Sequence, residues 1–448
     1  MSARYRLLAL VAAVAFAGSA AAQAPAPPPF LRDYVAKPDP SFAWKLETND
    51  TTDAGTVYQL HLVSQTWHEV PWDHAIQVFM PKGTKPQATM LLYNQGGRPS
   101  PASAMFGLAI AERVKAPVAF LYGIPKQPLF GGKTEDALIA ETFVRYLETK
   151  DPTWPLLFPM VKSLVKAMDA LQAFAQEKWQ VEVKHFVVTG GSKRGWTSWL
   201  TAATGDPRVK AIAPLVIDTL NMPVQMQNQV KAFGKPSEMI HDYVERKLVP
   251  VPDTPEAKQL WTMIDPWVYR ERLTLPKMLI HGTNDPYWPQ DATNTYWDDL
   301  QGEKHLLYVP NAGHDLREVD QKGKKQTLPL RAVNTLSAFA RSQIFDKPMP
   351  KLEWKHGDNL GVAGVSLKSD APPKAVRLWV ATSATRDFRK ARWEKEVEGG
   401  PELLRPGAPI STVYPKDGLK ALFAEVEYDQ DGLTYSLSTQ IRILEAKK

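Results

Sequence analysis

From about Thr56 to Leu316, short apolar runs alternate with stretches of helical spacing. No other feature narrows the fold so far, because repeated strand–helix alternation builds a mostly parallel sheet covered on both faces. The strand candidates are TVYQLHLVS, HAIQVFMP, ATMLLYN, PVAFLYG, KHFVVTG, VKAIAPLVID, PKMLIHG and KHLLYVP. ATMLLYN and PVAFLYG are almost continuously apolar, as strands buried on both faces should be. Helical spacing marks SAMFGLAIAERV between them, then the long MVKSLVKAMDALQAFAQEKW, and LPLRAVNTLSAFARSQIF at the end. Residues 124–158 and 219–275 interrupt the rhythm. Insertions of that size sit above a sheet as caps or lids.

After Pro348 no long helix follows. WKHGDNLGVAGVSL, AVRLWVATS, ALFAEVEYD and LTYSLSTQIRIL alternate between turn signals such as DNLG and DQDG. This pattern predicts a small antiparallel β-sandwich, Ig- or fibronectin-like, over 348–448. At the other end, MSARYR, LLALVAAVAFAG and SAAAQ have the layout of a secretory signal cut after Ala22. The apolar run is short for a bilayer span. No later segment reaches that length, so no membrane span is expected after cleavage. Residues 23–55 open Pro-rich and are expected to form an N-terminal leader. The division is therefore signal peptide 1–22, leader 23–55, α/β domain 56–347 and sandwich 348–448.

The 448 residues contain no cysteine, which excludes disulfides, thiolate ligands and a thiol nucleophile. An exported chain without disulfides fits a periplasmic or secreted bacterial protein. The net charge of +6, less Arg4 and Arg6 of the signal, is +4. That charge is small and dispersed and gives no case for nucleic acid.

VVTGGSKRGW (187–196) places a serine between a buried strand and a helix, next to Gly190 and Gly191. Such an elbow exposes a hydroxyl at a helix N-terminus, as a nucleophile requires. A helix N-cap is the plain alternative role for this serine. The usual pattern is G-x-S-x-G, but here Arg194 holds the second glycine's place and Gly195 comes one position later. The partners favour the nucleophile. Asp285 follows the strand of LIHGTNDPYWP, and His314 follows that of LLYVPNAGHDL. Ser, then acid, then His is the chain order of α/β-hydrolases. QDATNTYWDDL predicts a helix between the last two. The expected roles are Ser192 as nucleophile, His314 as general base and acid, and Asp285 as the group orienting the imidazole. Oxyanion donors are expected from the backbone of Lys193 and of Gly96 or Gly97 in NQGGRPS, with Gln95 as a near alternative. Tyr287, Trp288 and Arg194 are candidate substrate contacts. Asp218, ending APLVID, is a rival acid, and His281 reads as structural. His61, His68 and His74 do not form a ligand set at strand spacing. Neither a metal nor a cofactor is expected.

SQTWHEVPWDH, EDALIAETFVRYLETKDPTWPLLFPMVKSLVKAMDALQ, GGSKRGWTSWLTAATGDPRVKAIAPLVIDTLNM and DPWVYRERLTLPKMLIHGTNDPYW resemble the PhoPQ-activated pathogenicity-related family. The likeness runs from about Leu31 into the C-terminal region. It implies an exported, α/β-hydrolase-like bacterial protein with a Ser–Asp–His set on Ser192, Asp285 and His314. It also implies a link, in some members, to virulence regulation and resistance to host antimicrobial peptides. Arg194 in the elbow matches this family's own pattern. The expected function is a serine hydrolase acting on a small-molecule or peptide substrate. It would cleave an ester or amide through an acyl-enzyme, with a leaning to peptide bonds. A carbohydrate or cell-envelope esterase is the alternative. A binding protein on a hydrolase scaffold is the reading from another class.

Overall fold

The computed structural model describes residues 27–359, 361–404 and 409–446. The segment read as a secretory signal lies outside them. Nine strands form one sheet: β1 (Ala43–Thr52), β2 (Gly55–Trp67), β3 (Val70–Pro81), β4 (Thr89–Asn94), β5 (Val118–Leu121), β6 (His185–Gly191), β7 (Val209–Leu215), β8 (Lys277–Gly282) and β9 (Lys304–Val309). Their order is β1-β2-β3-β5-β4-β6-β7-β8-β9. From β5 onward neighbours are parallel, and the β1, β2, β3 edge is antiparallel through to β5. A right-handed crossover helix is the usual link between parallel neighbours.

The helices are α1 (Phe30–Ala36), α2 (Pro101–Val114), α3 (Glu135–Thr149), α4 (Leu157–Trp179), α5 (Lys193–Ala203), α6 (Met222–Phe233), α7 (His241–Glu245), α8 (Pro255–Ile264) and α9 (Leu330–Ile344). Side chains alternate across the sheet with period two, so each strand feeds two cores. Met90, Leu92, Phe186 and Val188 join the core of α4 and α5. Leu91 and Val187 join that of α2 and α9. This two-faced sheet, with a sharp strand-to-helix elbow at the end of β6, is the α/β-hydrolase architecture.

The C-terminal strands are β10 (Leu352–Asn359), β11 (Val362–Ser369), β12 (Ala375–Ser383), β13 (Glu394–Gly399), β14 (Ile410–Val413), β15 (Leu419–Gln430), β16 (Leu433–Ser438) and β17 (Arg442–Glu445). They make two antiparallel sheets, β10-β11-β14 and β13-β12-β15-β16, with β17 paired to β15. Val365, Leu378 and Leu422 share a core with Leu336 and Phe339 of α9. Thr335 Oγ1 donates to Ser436 O (3.0 Å) across that contact.

Two expectations need correction. The stretch 23–55 is more than a leader: it holds α1, with Leu31 and Val35 buried, and edge strand β1. β1 is exposed at nine of its ten positions, so its sequence lacks the alternation of a half-buried strand. QDATNTYWDDL is not a regular helix but two 3₁₀ turns, Ala292–Thr295 and Trp297–Asp299. Thr293 and Tyr296 there turn their hydroxyls to Asp218, and Thr295 Oγ1 donates to Ala292 O (2.9 Å). Such side-chain bonds compete with a regular helix.

Candidate active site

At the end of β6 the backbone turns sharply. Ser192 has φ 57° and ψ −126°, outside the regions ordinarily open to an L residue. Holding a residue there costs about 1–3 kcal/mol. The turn is fixed by Ser192 N–H donating to Leu215 O (2.9 Å) and by Trp196 N–H donating to Ser192 O (3.0 Å). Both flanking glycines are required by close approach. A Cβ on Gly190 would lie 2.8 Å from the backbone carbon of Arg194, and one on Gly195 would lie 2.9 Å from Gly190 O. The glycine that arrives one place late is therefore the one facing Gly190.

The acid and histidine loops are joined by their backbones. A Cβ on Gly282 would sit 2.4 Å from Ala312 O. Asn284 N–H donates to Ala312 O (2.9 Å), and Asn311 N–H to Thr283 Oγ1 (2.9 Å). This clasp brings together Asp285 and His314, with Asp285 Oδ2 2.8 Å from His314 Nδ1. Asp285 Oδ1 accepts from Tyr287 N–H (2.9 Å). The Tyr287 ring stacks on the imidazole at 4.2 Å. His314 Nε2 is buried and makes no hydrogen bond. Since the carboxylate can only accept, Nδ1 is the nitrogen that donates in this pair.

Ser192 and Tyr287 border one cavity, also lined by Lys193 and Trp288. Burial, followed by the nearby carboxylates of Asp136 and Asp285, pushes the Tyr287 hydroxyl up to about 12, so it stays protonated at neutral pH. Trp288 is buried in the same wall. Arg194 departs from expectation as a substrate contact. Its Nε donates to Ile124 O (2.5 Å), and its two terminal nitrogens grip Glu135 at 2.7 and 2.6 Å. Three of the five guanidinium N–H groups thus brace the elbow against α3 and its preceding loop. Lys193 Nζ completes the brace, 2.8 Å from Glu135 and 3.3 Å from Asp136. Burial raises the Glu135 carboxyl, but Arg194 and Lys193 outweigh it and hold that group well below the usual carboxylate range.

The glycines of NQGGRPS separate. Gly96 lies against the elbow, where a Cβ would strike the Arg194 guanidinium at 2.3 Å. Gly97, at φ 64°, opens on a different cavity of about 520 Å³ lined by Asp73, His74 and Lys126. Gln95 N–H is committed to Leu121 O (2.8 Å) and is not a candidate donor. Asp218, the rival acid, makes no contact with His314. It is buried with Thr293 Oγ1 (3.0 Å), Tyr296 OH (2.5 Å) and His281 Nδ1 (3.7 Å), and burial raises its carboxyl pKa. His74 is a core residue between Ser64 Oγ (3.0 Å) and Tyr122 O (3.2 Å), and burial lowers it to about 4. His68 stacks on Trp154 at 3.7 Å. Among the described residues no group of three or more His, Asp or Glu side chains is placed to hold a metal ion.

Sequence reasoning missed Glu135 and Asp136. Their only signal was an acidic pair opening a helix, which ordinarily means favourable pairing with the helix dipole. It also missed Trp196, Met222, Met226 and Val249 as cavity walls, because each reads as an ordinary core residue.

A profile of the PhoPQ-activated pathogenicity-related protein family matches residues 31–389. The chain belongs to that family. The match ends inside the loop between β12 and β13. A relative of this PhoPQ-related chain is the autocrine proliferation repressor protein A of Dictyostelium discoideum, 30% identical over 435 residues, covering 89% of this chain and 85% of that protein. Among solved structures, an acetyl xylan esterase from Paenibacillus sp. R4 has a TM-score of 0.44 at 14% identity, over 63% of this chain and 85% of that one. A glucuronoyl esterase from Solibacter usitatus has a TM-score of 0.41 at 13% identity, over 70% and 91%.

Proposed function

We propose that this chain is an exported serine hydrolase that cleaves an ester or amide through an acyl-enzyme on Ser192. One observation carries the reading. Asp285 holds His314 at Nδ1 (2.8 Å), as the orienting acid of a triad holds its base, while Nε2 makes no hydrogen bond to Ser192 Oγ and would meet it on substrate binding. The strained serine at a helix N-terminus supports it.

In the first half of the reaction, His314 Nε2 takes the Ser192 hydroxyl proton as Oγ bonds to the acyl carbon. Asp285 stabilises the imidazolium that forms. The developing oxyanion is met by the backbone N–H groups of Lys193 and Gly96. The bond to the leaving group breaks, and that group departs with the proton from Nε2. In the second half water gives its proton to Nε2, attacks the acyl carbon and releases the acid, and Ser192 recovers its proton. Export rests on the signal layout at the N-terminus, and the periplasm is the proposed compartment. Among the described residues no helix is long and apolar enough to cross a membrane. Peptide-bond cleavage is the leading reading; cleavage of carbohydrate or envelope esters would use the same groups.

A panel of chromogenic esters and aminoacyl amides tests the proposal. Turnover by the mature protein should fall about 10⁶-fold in either Ser192→Ala or His314→Ala, because the two act as one unit. Turnover that survives Ser192→Ala contradicts it. Ligand binding with no turnover of any substrate favours a binding protein on this scaffold.

A further inference from the structure

The cavity beside Ser192 says what kind of substrate fits. It encloses about 50 Å³, against about 520 Å³ for the cavity at Gly97. Its walls are Trp196 and Ile217 near the elbow, with Met222, Met226, Val249 and Trp261 from the insertion 219–275. These six side chains are nearly all buried, between 4% and 7% exposed for Met222, Met226 and Val249. Of the polar groups that line it, the indole N–H groups of Trp261 and Trp288 are buried without a partner, and the carboxylate is already paired. Asp136 accepts from Tyr243 OH (3.0 Å) and faces Lys193 Nζ (3.3 Å). The cavity therefore offers an occupant mainly apolar surface. A dry apolar cavity of ~150 Å³ is what benzene occupies. A third of that volume holds a short aliphatic group and no ring or long chain.

The same geometry says which half of the substrate enters. The leaving group must reach His314 to collect its proton and then depart. His314 is not among the residues lining this cavity, whereas Ser192 is. The occupant is thus the part that stays bonded to Ser192 Oγ after the first step. Resting on the nucleophile assigned above, we infer that the insertion 219–275 closes a small apolar acyl pocket and restricts this enzyme to short, unbranched acyl groups of about acetyl to propionyl size. Two sources share that chemistry: simple short-chain esters, and amides of the same short-chain acids. Methionine is a flexible gap-filler, so Met226 is the wall residue whose removal should most readily lengthen the pocket.

The test uses the full mature protein with p-nitrophenyl acetate, butyrate and octanoate, and with p-nitroacetanilide. A second readout is the rate at which p-nitrophenyl methyl-, butyl- and octylphosphonates inactivate it, which needs no turnover. We expect kcat/KM and the inactivation rate to fall at least ~10-fold from the shortest to the four-carbon member, since one surplus methylene in a closed apolar pocket is worth ~10-fold or more. We expect Met226→Ala to shift both optima toward the four-carbon compounds. Val249→Ala, on a different segment, should do the same if the helix α6 variant folds poorly. Turnover of the acetate ester identifies the ester source, and turnover of the anilide identifies the amide one; either supports the size limit. Equal or faster reaction of the octyl compounds overturns the pocket while leaving the nucleophile intact. Failure of every phosphonate to modify Ser192 overturns the nucleophile reading and the pocket with it.

Discussion

The two halves of the candidate site are held by different forces. The Ser192 half is a strained elbow locked by charge: Arg194 and Lys193 grip Glu135, and Lys193 also reaches Asp136. All of its parts come from the nine-stranded sheet and its insertions. The half with Asp285 and His314 is knit by neutral amide–carbonyl bonds to the C-terminal region. Asn284 Nδ2 donates to Ala391 O (2.7 Å) and Arg389 O (3.2 Å). Asn311 exchanges two bonds of 2.9 Å with the backbone of Trp393. These asparagines flank the two loops that carry the acid and the base. The C-terminal region thus belongs to the site's support, and the segment 384–393 is where it meets Asn284 and Asn311. Charge supplies strong, pH-sensitive bracing to one half. Neutral hydrogen bonds, worth about 1 kcal/mol each, brace the other by number.

The sharpest break in this comparison is between Asp285 and Asp218. Asp285→Asn should lower kcat by about 10⁴-fold, through the wrong imidazole tautomer. Asp218→Asn should leave kcat within about tenfold and act mainly on stability, because Asp218 bonds to Thr293 and Tyr296 instead. Steady-state kinetics on the pair distinguishes them, and the reverse ranking would move the acid to β7.

A smaller effect tests the neutral bracing. Asn284→Ala leaves carbonyls of 389 and 391 without their donor, at a cost of about 1–3 kcal/mol. We expect kcat to fall about tenfold with KM little changed, because the loop carrying Asp285 loses its tether. Asn284→Asp should not restore activity, since a carboxylate cannot donate to those carbonyls. Unaltered kcat in the alanine variant would show that the C-terminal region does not position the acid.

The smallest effect is on the charged half and depends on pH. Glu135 is held below its ordinary value of 4.5 when folded, so its pairing contributes stability above that value and loses it as pH falls toward the folded pKa. The Tm difference between wild type and Glu135→Gln should be largest near neutral pH and shrink steadily on acidification below about pH 4.5. Glu135 is 40% exposed, which keeps the effect modest. A difference that does not change with pH would remove charge from the account of this half.

What the sequence made legible follows the same division. Ser192, Asp285 and His314 each follow an apolar run at a strand end, so period and turn chemistry expose them. The bracing is not legible, because Arg194 and Glu135 are 59 residues apart and Asn284 and Ala391 are 107 apart. Nothing local in TED or NAG announces such a partner. β13 and β14 escaped for a related reason: β13 reads EKEVEG, with no apolar alternation. The 3₁₀ turns near Thr293 replaced an expected helix because their hydroxyls serve Asp218, a contact invisible from spacing. Arg194 stood as a candidate substrate contact because its partner Glu135 lies 59 residues away.

The central claim is that Ser192 is a nucleophile activated by His314. Treating the mature protein with a fluorophosphonate and mapping the adduct by peptide mass spectrometry addresses it without knowledge of the substrate. The account predicts one modification, on the Ser192 peptide, that is absent in Ser192→Ala and slowed strongly in His314→Ala. Modification of another residue at the same rate in both variants, or none on Ser192, would contradict it.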